Sequence, residues 1–197
     1  MTPKRIFDLT LVLATAPVWL LATAAAALLT LVGTGRPVLF RDERAGKDGK
    51  PFTLVKFRTM RDGEGSDAVR TTRTGAFMRK FSLDELPQLW LVLAGKMSLV
   101  GPRPLPLRYL SRYSPAQMRR HEVLPGITGL AQVNGRNTIS WEEKFRYDVE
   151  YVDRHDLAMD VAILARTVFK AAGGADVNMS GEITMPEFNP QQEGAGQ

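Results

Sequence analysis

Cysteine is absent from the chain, which rules out disulfide staples and thiolate metal ligands alike. Histidine is almost absent: His121 and His155 lie far apart and form no local zinc-ligand pair. Charge disappears from one long stretch, residues 6–32, where IFDLTLVLATAPVWLLATAAAALLTLV contains Asp8 as its sole charged side chain. No internal repeat is evident. What remains is ordinary for a folded protein of 197 residues, 44% apolar and 24% charged, enough for one domain plus an appendage. A net charge of +5 points to an anionic partner: nucleic acid, phospholipid or a phosphorylated substrate.

Three readings compete for the apolar stretch. It is long enough to cross a bilayer, which takes about 20 residues. A basic start at Lys4 and Arg5 and small residues around Ala22 to Ala27 also fit a cleaved signal peptide. The third reading is a helix that enters the membrane, bends and leaves on the same side. Pro17 in mid-run would bend it. Each half is then about 16–23 Å long, shorter than the roughly 30 Å hydrocarbon core. Arg36, Arg41, Arg44 and Lys47 follow the run as Lys4 and Arg5 precede it. Basic flanks at both ends suit two cytoplasmic ends, because a single crossing is normally asymmetric.

Beyond Gly33 and Gly35 the pattern changes. PVLFRDE (37–43) and PFTLVKFRTM (51–60) read as two strands of a β-hairpin joined by the turn AGKDGK. Residues 61–75 are almost devoid of apolar side chains and read as a mobile loop. A helix is expected over 75–80 and another from near Asp84. SLVGPRPLP (98–106) reads as a loop because of its three prolines. Ser114-Pro115 opens a helix to about His121, and PGITGLAQVNGRN (125–137) is punctuated by glycine. Ser140 with Glu143 forms a capping box for a helix through about Val152. A last helix covers about 157–171.

Acids stand among apolar residues in three places. SLDELPQLW (82–90) pairs Asp84 with Glu85. A Ser82–Glu85 capping box is one reading, but Pro87 would then sit inside the helix and remove a needed hydrogen bond. A helix starting nearer Asp84 puts both carboxylates at its positive end. Asp148 falls on the stripe Trp141, Phe145, Val149, Val152, and Asp160 on the stripe Leu157, Val161, Leu164, Val168. A buried carboxylate needs a partner. Arg136, Arg103 and Arg79 are the candidates, either as ties between helices or as parts of a site. Lys56 and Arg58 lie in the second strand, Arg79 five residues before Asp84, and Arg103 in the proline-braced GPRP loop. Taken singly these are surface charges. Together they form a set able to grip a polyphosphate through guanidinium forks.

KRIFD (4–8), KFRTM (56–60), SLDELPQLW, SLVGPRP (98–104), PGITGLAQVNGRN and the stretch around SWEEKFRYDVEYV resemble the bacterial sugar transferase family. These are small, monotopic polyprenyl-phosphate phosphoglycosyl transferases, and the resemblance runs in order from residue 4 to about 188. It implies an α+β fold: a re-entrant, kinked membrane helix (1–35) joined to a compact, helix-rich catalytic head with a small β-hairpin (36–188). A frayed tail (189–197) follows. The kink is expected at Pro17. Family members commonly carry Ser-Pro at the break, whereas this chain has Ala16-Pro17, so its kink would rest on the proline alone.

The resemblance implies transfer of a sugar 1-phosphate from a UDP-sugar to a membrane polyprenyl phosphate such as undecaprenyl phosphate, releasing UMP, as the first membrane step of glycoconjugate assembly. Asp84 is then the nucleophile and Glu85 helps hold Mg²⁺. Lys56, Arg58, Arg79, Arg103, Arg136, Asp148 and Asp160 would bind substrate, while His121, Gln132 and Asn134 match motif positions of unassigned role. Expected partners are the UDP-sugar, the polyprenyl phosphate and membrane lipids at the cytoplasmic face of a bacterial inner membrane, with no nucleic acid and with a monomer or dimer both open. Two rivals predict otherwise. A secreted glycosidase would need carboxylates about 5 Å apart across its substrate, which suits adjacent residues poorly. A membrane-tethered nucleic-acid or anionic-lipid binding protein would place its bases along one helix or among aromatics, a pattern this chain lacks.

Overall fold

In the computed structural model, which describes residues 1–135, 138–173 and 187–189, the N-terminal apolar run forms two helices, α1 (Pro3–Ala14) and α2 (Ala16–Gly33). The break falls at Thr15, two residues before the proline expected to make it. Thr15 leaves helical geometry at φ −91° and ψ 2°, and its hydroxyl donates to the Leu11 carbonyl at 2.7 Å. That back-bond competes with the helical ladder. Pro17 instead lies in the first turn of α2, where a missing N–H costs nothing. Thr15 therefore supplies the hydroxyl that Ala16 lacks.

Both helices are fastened to the rest of the chain. Arg5 donates to the carbonyls of Val92 and Leu93 at 2.6 and 3.0 Å. Asp8 accepts from Ser98 Oγ at 2.7 Å and from the Leu99 amide at 3.3 Å. Beyond the break, the Trp19 indole donates back to the Val12 carbonyl at 2.9 Å, and its ring meets Trp90 edge-on at 5.2 Å. At the far end, Thr34 bonds Thr72 at 3.1 Å. As one straight helix, residues 3–33 would span about 45 Å. The break lets both ends reach the same body. α2 is long and apolar enough to cross a membrane by length and composition, yet only 17% of it is buried, leaving Val18, Leu21, Leu28 and Val32 exposed.

The hairpin forms as expected, with β1 (Leu39–Ala45) antiparallel to β2 (Pro51–Phe57) and Leu39 opposite Phe57. Its turn puts Asp48 and Gly49 at φ 56° and 69°, the left-handed region that glycine and aspartate tolerate best. Residues 61–75, expected as an open loop, contain a single helical turn, α3 (Asp67–Arg70), and the start of α4 (Arg73–Lys80). Thr72 caps α4 by accepting from the Gly75 amide. Gly75 is required for packing: a Cβ there would lie 2.0 Å from the Thr59 carbonyl oxygen, so α4 rests backbone against backbone on the end of the hairpin.

After α4 come α5 (Gln88–Leu93) and β3 (Ser98–Val100), the latter in a stretch expected to be loop. β3 pairs in parallel with β4 (Gly126–Thr128), and a short helix, α6 (Pro115–Met118), lies between them in sequence. The chain then forms α7 (Leu130–Asn134), α8 (Trp141–Arg154) and α9 (Leu157–Gly173). The Ser140–Glu143 capping box is present. The main core joins Val12 and Trp19 to Val92, Val100, Tyr151 and Ile163, so the N-terminal helices share the core of the domain. The outcome is a mixed α/β fold, rich in helix, with two small two-stranded sheets among the described residues.

α9 corrects the periodicity argument. Its expected inner stripe is largely outward: Leu157, Val161 and Val168 are exposed, as is Phe169 at 83%. The inner face is the buried Asp160 and Ile163 with the half-buried Thr167, the last bonded to Thr128 at 2.8 Å. Polar bonds to the sheet and to α8 orient this helix more strongly than its apolar stripe does.

Candidate active site

α4 ends at Phe81, and Ser82 then adopts φ 55° and ψ 24°. A non-glycine residue in this region carries a strain of order 1 kcal/mol. The reversal sends the chain into one tight 3₁₀ turn, Leu83–Glu85, instead of an α-helix beginning at Asp84. Ser82 makes no side-chain cap; its carbonyl accepts from the Glu85 amide at 3.2 Å. Pro87 then precedes α5 at its N-cap, where no amide hydrogen is needed. Asp84 is thereby turned inward, 6% exposed.

Three cations converge on this turn from three elements. Lys56 comes from β2, Arg79 from the last turn of α4, and Arg103 from the GPRP loop after β3. Burial pushes the Asp84 carboxyl up to about 6, and the neighbouring Glu85 charge adds to the rise. Lys56, Arg79 and Arg103 oppose both effects. Lys56 is pulled below the usual lysine range by its own burial, with Asp84 and Glu85 acting against that shift. Arg103 donates from Nη2 to Glu85 Oε1 at 2.6 Å. Arg79 is aimed by its Nε bond to Thr59 Oγ1 at 2.9 Å, the same residue whose carbonyl the Gly75 backbone packs upon.

Among the other expected site residues, Arg58 and Asp160 serve other contacts. Arg58 pairs with Asp62 at 2.8 Å and donates to the Thr34 carbonyl at 2.9 Å, a link between the hairpin and the end of α2. Asp160 accepts from Lys4 and from the Tyr151 hydroxyl, both at 2.6 Å, so it ties α1 to α8 and α9. Its partner is a lysine 156 positions away, not one of the three arginines considered. Asp148 is 3% exposed and takes two bonds from Arg120, at 2.7 and 3.0 Å. Arg136 lies outside the described residues. His121 is buried against the hairpin turn, with Nδ1 bonded to the Gly46 carbonyl at 2.9 Å, and burial lowers its pKa to about 4. Asn134 bonds back to the Leu130 carbonyl within α7.

Two residues near the site escaped the sequence reading. Arg120, besides holding Asp148, donates from Nη2 to the backbone carbonyl of Arg103 at 2.7 Å. It adjoins the equally basic Arg119 in sequence, and only burial tells the two apart. Lys144, on α8, has its pKa lowered to about 8 by burial and then by the Arg103 charge, opposed by Asp148.

The arrangement offers a poised carboxylate inside a cationic ring. At 4 Å, two like charges repel by about 4 kcal/mol at an effective dielectric of 20, so an anion attacking a phosphate needs such a ring. The donor set also bears on a divalent cation. Among the described residues no group of three or more acidic or histidine side chains converges. Adjacent carboxylates such as Asp84 and Glu85 fit an ion like Mg²⁺, which keeps waters and takes most of its ligands from substrate phosphates.

Sequence comparison adds an independent line. The family model described as bacterial sugar transferase matches residues 1–174. The "uncharacterized sugar transferase EpsL" of Bacillus subtilis is 50% identical over 196 residues, covering 94% of this chain and 95% of its own length. A UDP-glucose:undecaprenyl-phosphate glucose-1-phosphate transferase of Klebsiella pneumoniae is 43% identical over 150 residues, covering 68% of this chain and 32% of its own length. A UDP-galactose-lipid carrier transferase of Erwinia amylovora is 39% identical over 189 residues, with 84% and 39% covered. The chain thus spans about a third of the length of these last two relatives.

Proposed function

Because the chain belongs to the bacterial sugar transferase family, we propose that it moves a sugar 1-phosphate from a UDP-sugar to undecaprenyl phosphate and releases UMP. The observation that carries this reading is the buried Asp84 carboxylate ringed by Lys56, Arg79 and Arg103. A ring of this kind binds a diphosphate and offsets the charge that accumulates during its cleavage.

In the first half-reaction an Asp84 oxygen attacks the sugar-bearing phosphorus. The bond from that phosphorus to the bridging oxygen breaks, and UMP departs with the electron pair. In the second, an oxygen of undecaprenyl phosphate attacks the same phosphorus and displaces Asp84, leaving a lipid diphosphate sugar. This is covalent catalysis by a carboxylate, with two substrates using one site in turn. Arg103 and Arg79 orient the phosphates, and Lys56 keeps Asp84 ionised. Glu85 would help hold Mg²⁺, which when bound supplies charge neutralisation to the diphosphate.

The bent N-terminal pair serves the lipid substrate. With both ends of the pair fastened to the head and the apolar side chains of α2 facing outward, the chain enters one leaflet along one helix and returns along the other, placing Asp84 at the headgroups. Relatives named for glucose and for galactose leave the sugar itself open. The test uses purified protein with Mg²⁺, undecaprenyl phosphate and a panel of UDP-sugars. One of them should give UMP release and a trapped sugar phosphate on Asp84. Asp84→Asn should abolish both, and near-normal turnover by that variant would exclude the scheme.

A further inference from the structure

Glu187 and Phe188 lie far in sequence from the described residues they are bonded to or packed against. Phe188 is 1% exposed, and its ring is enclosed by Tyr109, Tyr113, Trp141 and Phe145, with ring centres 4.9–5.9 Å away. Its backbone belongs to no strand or helix. Side chains hold it instead: the amide donates to the Tyr109 hydroxyl at 3.2 Å, and the carbonyl accepts from Arg112 at 2.6 Å. Arg112 and Arg108 both donate to the Glu187 carboxylate, at 2.9 and 2.8 Å. A buried aromatic anchor, flanking charges paired at the rim and backbone groups bonded to side chains are how a domain holds a bound peptide.

The cage has a second face. Tyr113 and Phe145, which close over Phe188, also flank the Arg120 guanidinium, at 5.8 and 5.7 Å from its centre. Arg120 holds Asp148 with one edge and the Arg103 carbonyl with Nη2. Arg103 in turn meets Glu85 beside Asp84. An unbroken chain of contacts therefore runs from the C-terminal segment to the cationic ring.

We propose that Glu187 and Phe188 form an intramolecular latch that sets the position of Arg103, acting through the Tyr113–Phe145 cage and Arg120. Phe188 and Arg120 are positioning residues; neither meets the substrate. Emptying the cage would leave Tyr113 and Phe145 free to change rotamer, loosen Arg120, and release the GPRP loop that aims the guanidinium fork. The inference deepens the proposed reaction and rests on it for its kinetic readout.

The test compares the unaltered protein with Phe188→Ala, Arg103→Ala and the double variant, measuring UMP release and thermal unfolding. Phe188→Ala should lower kcat about tenfold with little change in KM for the UDP-sugar, and Phe188→Leu should recover most of the loss. In the Arg103→Ala background the same replacement should cost less than twofold, since two residues on one contact chain couple. Equal fold-losses in both backgrounds would overturn the latch. Should Phe188→Ala fail to fold, Arg112→Gln weakens the same segment at the surface and is expected to cost about threefold, with the same non-additivity. Hydrogen exchange gives a readout independent of activity: peptides covering 99–106 should exchange faster in Phe188→Ala. Faster exchange confined to 107–113 would refute the connection even if the unaltered chain released no UMP, an outcome that would count separately against the reaction.

Discussion

Arg103 and Glu85 are joined by a 2.6 Å ion pair at the mouth of the site, and the Arg103 side chain is still 49% exposed. An ion pair this open contributes little to stability, 1 kcal/mol or less. On the proposed reaction its role is to aim a fork at phosphate oxygens. Arg103→Ala should therefore cut UMP release by about 10²–10³, the range seen for lost transition-state donors, while unfolding temperature barely moves. Arg103→Lys keeps the charge without the planar fork and should fall between the two. Steady-state kinetics of the three proteins decides this, and an Arg103→Lys enzyme as fast as the parent would contradict it.

Asp84 predicts a gain in stability at the expense of turnover. Its folded pKa of about 6 stands above the ordinary 3.8, so the folded state binds the proton more tightly. That contribution is fully present below about pH 3.8 and is lost as pH rises through about 6. At pH 8 the ionised, buried carboxylate thus works against folding by an amount of order 1–3 kcal/mol. Asp84→Asn should unfold at a higher temperature than the parent at pH 8 in chelator-treated buffer. The gap should close below pH 4. A variant less stable than its parent at pH 8 would show that the cationic ring outweighs burial.

Local chemistry makes much of this molecule legible in its sequence. The hairpin follows from a turn rich in glycine and aspartate between two β-branched and aromatic runs, and the start of α8 follows from Ser140 and Glu143. Asp84, Glu85, Lys56 and Arg103 are legible because they stand in distinctive motifs, and Arg79 because it lies five residues before Asp84. What stayed hidden were long-range pairings. Asp148 meets Arg120 across 28 positions and Asp160 meets Lys4 across 156, and nothing in the sequence around Arg120 or Lys4 points to those partners. β3 and β4 are three residues each, too short for any periodicity to register. α9 presents a different face from the one its apolar stripe predicts, because such a stripe says nothing about a competing set of polar bonds.

The Lys4–Asp160 pair is such a bond. Asp160 is 1% exposed, and its partners are the Lys4 ammonium and the Tyr151 hydroxyl. Removing the cation leaves a buried carboxylate balanced only by a neutral donor, which costs about 3 kcal/mol. Lys4→Met should lower the unfolding temperature in detergent, and adding Asp160→Asn should restore much of it. If the double variant is as unstable as the single one, the ion pair is not what binds α1 to α9.

The bend at Thr15 can be tested in the chain as it stands, because a protein without cysteine accepts single reporters cleanly. Thr2 precedes α1, Arg36 follows α2, and Lys47 lies in the hairpin turn of the head. Arg5, Asp8 and Thr34 tether both ends to that head, so under the proposed re-entrant insertion all three positions share one face of the membrane. A membrane-impermeant maleimide should label Thr2→Cys, Arg36→Cys and Lys47→Cys from the same side, in inverted vesicles and not in intact cells. Pro17→Ala should leave that pattern unchanged, since Pro17 sits in the first turn of α2 and the tethers hold regardless. Thr15→Val with Pro17→Ala removes both the back-bond and the missing amide, and should let part of the population straighten. Labels at 2 and 36 on opposite faces of the unaltered chain would mean that the apolar segment crosses the bilayer, and the placement of Asp84 against the lipid phosphate would have to be abandoned.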